Sequence, residues 1–142
     1  MSKRGLLLGA CAIMLFASFA LAQQKEIKHV PVKPTSAASG EQMYQNYCAV
    51  CHGKDGKGNG PASDALKTAP TDLTQLAKNN GGKYPSDKVS NTIRGDQNIT
   101  AHGSKDMPIW GNVFWHMSQG HQSEVQLRIA NLDRYIESLQ AK

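Results

Sequence analysis

Cys48, Cys51 and His52 stand within five residues of one another, and glycines follow at positions 53, 56, 58 and 60. Two thiols and an imidazole at this spacing admit four chemistries: a zinc knuckle, a redox dithiol, a phosphate-cradling loop, or attachment of a haem. Structural zinc requires four ligands in a tetrahedral array. The only other cysteine is Cys11, near the start of the chain, and the histidines are scattered at 29, 52, 102, 116 and 121. A thioredoxin-like dithiol opens a helix after a strand, whereas Gly40 to Tyr47, just before Cys48, patterns as helix. The run Gly56-Lys57-Gly58-Asn59-Gly60 matches neither GxGxxG nor GK followed by Ser or Thr. The whole pentad Cys-x-x-Cys-His, by contrast, fits haem attachment. Two thiols three residues apart can add to the two vinyl groups of one porphyrin, and the adjacent histidine can ligate its iron. The glycines then let the backbone run close to the ring. The cofactor expected on this reading is one haem c with its iron, held covalently through Cys48 and Cys51, with His52 as metal ligand.

Iron held by one histidine needs a sixth ligand if it is to carry electrons without reacting, and methionine or histidine is the usual choice. Met107, in Ser104-Lys105-Asp106-Met107-Pro108-Ile109-Trp110-Gly111, is the expected second metal ligand, because Pro108 stiffens its loop. Met43 lies too close before Cys48 to reach the opposite face and reads as core. Met117, in an aromatic-rich segment, reads as packing. His102, five residues before Met107, is the main histidine rival. Two roles are open to Trp110: packing or hydrogen bonding at the cofactor edge, or ordinary core.

The elements that must position these residues read as helices, and the expected fold class is all-α. Ser39 can cap a helix over Gly40 to Tyr47. Val125, Ile129, Leu132, Ile136 and Leu139 recur at spacings of four, three, four and three, the signature of a long amphipathic helix, with Ser123 as its expected cap. Gly40 and Tyr44 are expected to meet Leu132 and Tyr135 where the first and last helices cross. Asp72 can cap a short helix. Ser86 to Arg94 reads as another, ended by Gly95, with Val89 and Ile93 facing inward.

Lys3 and Arg4, an uncharged apolar run from Leu6 to Ala22, and Ala20-Leu21-Ala22 form the layout of a signal peptide over 1–22. Retention as an amino-terminal anchor and lipidation at Cys11 are the alternatives. Residues 23–38, with two prolines and small polar side chains, read as a flexible leader, leaving 39–142 as one domain. The formal charge of +5 over 142 residues suits docking to an acidic surface, but no Lys/Arg run of nucleic-acid type is present. No small-molecule substrate is implied. A membrane enters only if the leader is retained or through a partner complex.

With these motifs in hand, the sequence resembles the class I c-type cytochromes, small monohaem electron carriers, over about residues 38 to 141. The resemblance rests on GEQMYQNYCAVCHG, GKGNGPA, DMPIWG and IANLDRYIESLQ. It implies a cytochrome c fold with crossed terminal helices. It also implies a proximal His52 whose ring is oriented by a proline carbonyl, with Pro61 the first candidate and Pro70 the second, and a distal Met107. The segment 64–84 has no obvious counterpart. The implied function is one-electron transfer in the periplasm between a redox protein donor and acceptor, with no substrate bond made or broken, so the chain is not expected to be an enzyme. Lys54, Lys57, Lys67 and Lys105 are placed to steer an acidic partner. Two alternatives remain: an electron-transfer subunit of a larger oxidase or dehydrogenase complex, and a haem peroxidase or ligand sensor.

Overall fold

The computed structural model describes residues 31–96 and 107–141. The expected signal segment, most of the leader, His102 and Lys105 lie outside the described residues. Among the described residues every regular element is helical, as expected of an all-α domain. None of these helices is long and apolar enough to cross a membrane.

The chain enters its first helix at Ser39, which is extended and accepts a hydrogen bond from the Gln42 amide at 3.1 Å. This satisfies one of the amides that a helix start leaves unpaired. Helix α1 (Gly40–Met43) widens into a π-helical turn (Tyr44–Cys48) and returns to α2 (Ala49–His52). Met43, Tyr44 and Tyr47 are all buried along it. Short 3₁₀ turns follow at Ser63–Ala65, Leu73–Gln75 and Lys78–Asn80. Asp72 caps the second of these by accepting from the Thr74 amide. Helix α3 (Ser86–Arg94) stops where Gly95 turns left-handed, and Ile93 is buried beneath it.

Helix α4 (Trp110–Met117) was not anticipated, because its start has no capping side chain and its aromatic residues carry no clear helical period. It begins two residues after Pro108 and buries Trp110 and Phe114, one turn apart. Helix α5 (Gln122–Ser138) turns Val125, Ile129, Leu132 and Ile136 inward, as their spacing predicts. It starts one residue before the expected cap, so Ser123 lies inside the first turn and His121 precedes the helix.

The first and last helices pack together at Gly40. A Cβ there would lie 2.0 Å from the carbonyl oxygen of Asn131 and 2.9 Å from Cβ of Tyr135. Any side chain would force the backbones apart, so the close approach depends on glycine. One turn on, the Tyr44 and Tyr135 rings meet at 5.2 Å. A second aromatic group fills the space towards α4: Tyr47 stacks on Trp110 at 5.2 Å, and Trp110 tilts against Phe114 at 5.8 Å. These contacts gather Tyr47, Trp110 and Phe114 into one buried aromatic cluster.

The last residues before α1 are pinned to this core. Tyr47 donates its hydroxyl to the Lys33 carbonyl at 2.6 Å. Buried Arg128 donates to the Thr35 carbonyl at 3.0 Å and pairs with Glu124 at 2.7 Å. Asn131 donates to the Ala37 carbonyl at 2.8 Å. The Arg128 pair and its hydrogen bond hold Glu124 below the usual carboxylate range.

Candidate functional site

Helix α2 carries Cys51 and His52, and Cys48 stands at its N-cap. The turn is short, so its terminal carbonyls need partners from elsewhere. The glycine-rich run supplies them. The amide of Gly58 donates to the His52 carbonyl at 2.8 Å, Gly60 to Cys51 at 3.0 Å and Ala62 to Val50 at 2.9 Å. Gly58 adopts φ +80°, and a Cβ there would lie 2.4 Å from the Pro70 carbonyl oxygen. The loop therefore folds back over the end of α2 and is itself pressed against the 70–74 segment. Pro61 sits exposed in this loop, between Gly60 and Ala62, two of the three residues whose amides bind α2.

His52 is buried, and its Nδ1 lies 3.0 Å from the Thr71 carbonyl oxygen. A carbonyl can only accept, so Nδ1 carries the proton and the lone pair of the neutral ring lies on Nε2. A backbone carbonyl faces the ring, but it belongs to Thr71, next to Pro70, and not to a proline as the resemblance implied, with Pro61 the first candidate. The Pro-Thr-Asp sequence was the available signal: Asp72 caps the following turn and fixes the direction of the carbonyl just before it.

Cys48 is half-buried as a residue, with its sulfur turned inside. Burial, and Cys51 beside it, push the Cys48 thiol up to about 12. The Tyr44 hydroxyl closes the other side of the turn by donating to the Gly53 carbonyl at 2.8 Å. Its burial, with Cys48 nearby, raises the phenol above its usual range. Trp110 reaches the site through Tyr47, the chain neighbour of Cys48, and is buried in the aromatic stack. Met107 is half-buried and packs against the core ahead of α4. Met117 also packs against the core, with its sulfur 3.6 Å from the Tyr47 hydroxyl. Val50, Ile109 and Trp115 are exposed, as are Lys54, Lys57 and Lys67. Lys57 pairs with Asp55 at 3.5 Å on the open side of the loop.

The cofactor expectation is corrected by this arrangement. Among the described residues no three His, Cys, Asp or Glu side chains form a group that could hold a metal ion. No disulfide joins Cys48 to Cys51. Cys48, Cys51 and His52 are the residues of metal-binding type in this turn, and they do not converge with further such side chains among the described residues into a metal-holding group. The expectation of a haem c with its iron, attached through Cys48 and Cys51, is therefore withdrawn.

Residues 35–119 match the family model described as cytochrome c oxidase, cbb3-type, subunit III. The chain matches no curated protein and no solved structure. The family match covers more than half of the chain and includes the pentad, the glycine loop, Met107 and α4. It agrees with the alternative reading of a non-catalytic accessory subunit of a larger oxidase complex better than with the expected free carrier. The chain belongs to the cbb3-type cytochrome c oxidase subunit III family.

Proposed function

We propose that the chain is an accessory electron-transfer subunit of a larger oxidase complex, acting on the periplasmic side, and that the turn from Cys48 to His52 is its working site. The observation that carries this reading is the family match over residues 35–119, whose description is that of a complex subunit. This favours the subunit over the free carrier. The proposed site comprises Cys48, Cys51 and His52, framed by Pro61, Met107 and Trp110. The packing of α1 against α5 through Gly40 is in keeping with a class I cytochrome arrangement of helices.

The surface supports the same reading. Trp115 is 44% exposed and Ile109 53%, both on or next to α4. Large apolar side chains left in water are what a partner subunit would cover, and tryptophan is enriched among the residues that anchor protein interfaces. The proposed donor and acceptor are both redox proteins of that complex.

Co-isolation tests the assignment. The full-length chain, tagged at its carboxyl end and expressed in its own host, is expected to bring down the integral subunits of an oxidase. Trp115→Ser is expected to weaken that recovery while leaving the thermal transition unchanged. Recovery of the chain alone from gently solubilised membranes and from the soluble fraction would overturn the subunit reading.

A further inference from the structure

We infer that Gln140, at the end of α5, is a positioning residue that sets the orientation of the His52 imidazole through the 71–77 segment. The inference rests on the proposed role of His52 and adds a residue to which sequence reasoning gave no part.

The connection is a short series of hydrogen bonds. The Gln140 side chain donates Nε2 to the Leu73 carbonyl at 2.7 Å and accepts the Ala77 amide at Oε1 at 2.8 Å. Its Nε2 also lies 2.9 Å from the Ile136 carbonyl, in the last turn of α5. The next residue, Ala141, donates its amide to the Thr74 carbonyl at 2.9 Å. The end of α5 therefore grips the 73–77 backbone at three places. Thr71 lies two residues before the first of them. Asp72 accepts from both the amide and the hydroxyl of Thr74, at 2.9 and 2.6 Å, which stiffens the intervening turn. From the other side, the Leu73 amide donates to the Gly56 carbonyl at 2.7 Å.

The Thr71 carbonyl is thus held between the glycine loop and the end of α5. A carbonyl fixed in this way selects the Nδ1–H form of His52 and restricts rotation of the ring. An outer hydrogen-bond partner that fixes an imidazole's tautomer also raises the basicity of its second nitrogen. Glutamine suits this position because its amide both donates and accepts, so one side chain can hold a carbonyl and an amide that lie four residues apart. An apolar side chain of the same length would leave both backbone groups without that partner.

The test reads the ring directly. In the uniformly ¹⁵N-labelled full-length protein, the His52 nitrogens give the tautomer by their chemical shifts, and solvent exchange of the Nδ1 proton gives the strength of its tether. Gln140→Met is expected to make that exchange about tenfold faster and to move the Nδ1 and Nε2 shifts towards each other as the tautomers mix. Gln140→Glu keeps the acceptor for Ala77 and loses the donor to Leu73. It is expected to give a smaller change of the same sign, and it stands in if Gln140→Met does not fold. Asn131→Ala, which removes the bond to the Ala37 carbonyl elsewhere on α5, controls for general loosening and should leave the His52 signals in place. Unchanged His52 shifts and exchange in a folded Gln140 variant, or an equal change in Asn131→Ala, would overturn the inference. Electron delivery by the wild-type chain is measured in parallel. If delivery fails while the His52 signals respond to Gln140, the positioning stands and the electron-transfer reading falls.

Discussion

Burial of the Cys48 sulfur has a consequence for stability. A thiol pushed up to about 12 in the folded protein, from an ordinary value of 9.0, is neutral when folded while the unfolded chain has begun to ionise. The folded pKa is the higher one, so this contribution is complete below pH about 9 and is lost as pH rises towards 12. The midpoint of urea unfolding, measured from pH 7 to 11, should therefore fall above pH 9, and Cys48→Ala should flatten the early part of that fall. At pH 8, alkylation of Cys48 in the folded protein should be far slower than in the urea-unfolded chain, because the thiolate is the reactive form. The sequence located this chemistry through the spacing Cys-x-x-Cys-His. It did not reveal the burial of the sulfur or the carbonyl facing His52. The carbonyl belongs to Thr71, which arrives from a later stretch of chain through a backbone group that carries no residue signature.

At the scale of elements, Gly40 and the Tyr84–Asp133 contact fix how the helices sit. Gly40→Ala would place a methyl group against the Asn131 carbonyl. Overpacking of this kind is expected to cost about 1–3 kcal/mol, read from urea unfolding. Tyr84 donates to the buried Asp133 carboxylate at 2.9 Å, and Ser86 donates to the other oxygen of the same group. Burial and the neighbouring carboxylate push the Tyr84 phenol above its usual range. Together these bonds lock the segment before α3, and the start of α3, onto α5. Tyr84→Phe should cost about 1–3 kcal/mol by leaving a buried acceptor short of a donor. The double variant with Ser86→Ala should depart from additivity, because both hydroxyls serve one carboxylate. The long apolar period of α5 and the Ser39 cap of α1 were legible, since each is written in local spacing. Helix α4 was not. Its buried residues, Trp110 and Phe114, are fixed by stacking on Tyr47, a contact that joins residues far apart in sequence.

For the molecule as a whole, the central claim is that the chain is an accessory subunit on which an oxidase complex depends, with the Cys48–His52 turn as its working site. The positive balance of the chain and its exposed Lys54 and Lys57 suit an acidic partner. Association should accordingly slow as salt shortens the screening length from about 10 Å at 0.1 M to about 3 Å at 1 M. A salt-independent association rate would remove the electrostatic component and leave the apolar face bearing Trp115 to account for docking. The most direct measurement is oxygen uptake by the isolated oxidase complex, driven by its physiological electron donor, with wild-type chain, with His52→Ala and with no chain. Wild-type chain should sustain uptake, and His52→Ala should remain in the complex yet lower uptake by about tenfold or more. Equal uptake in all three preparations would contradict the account.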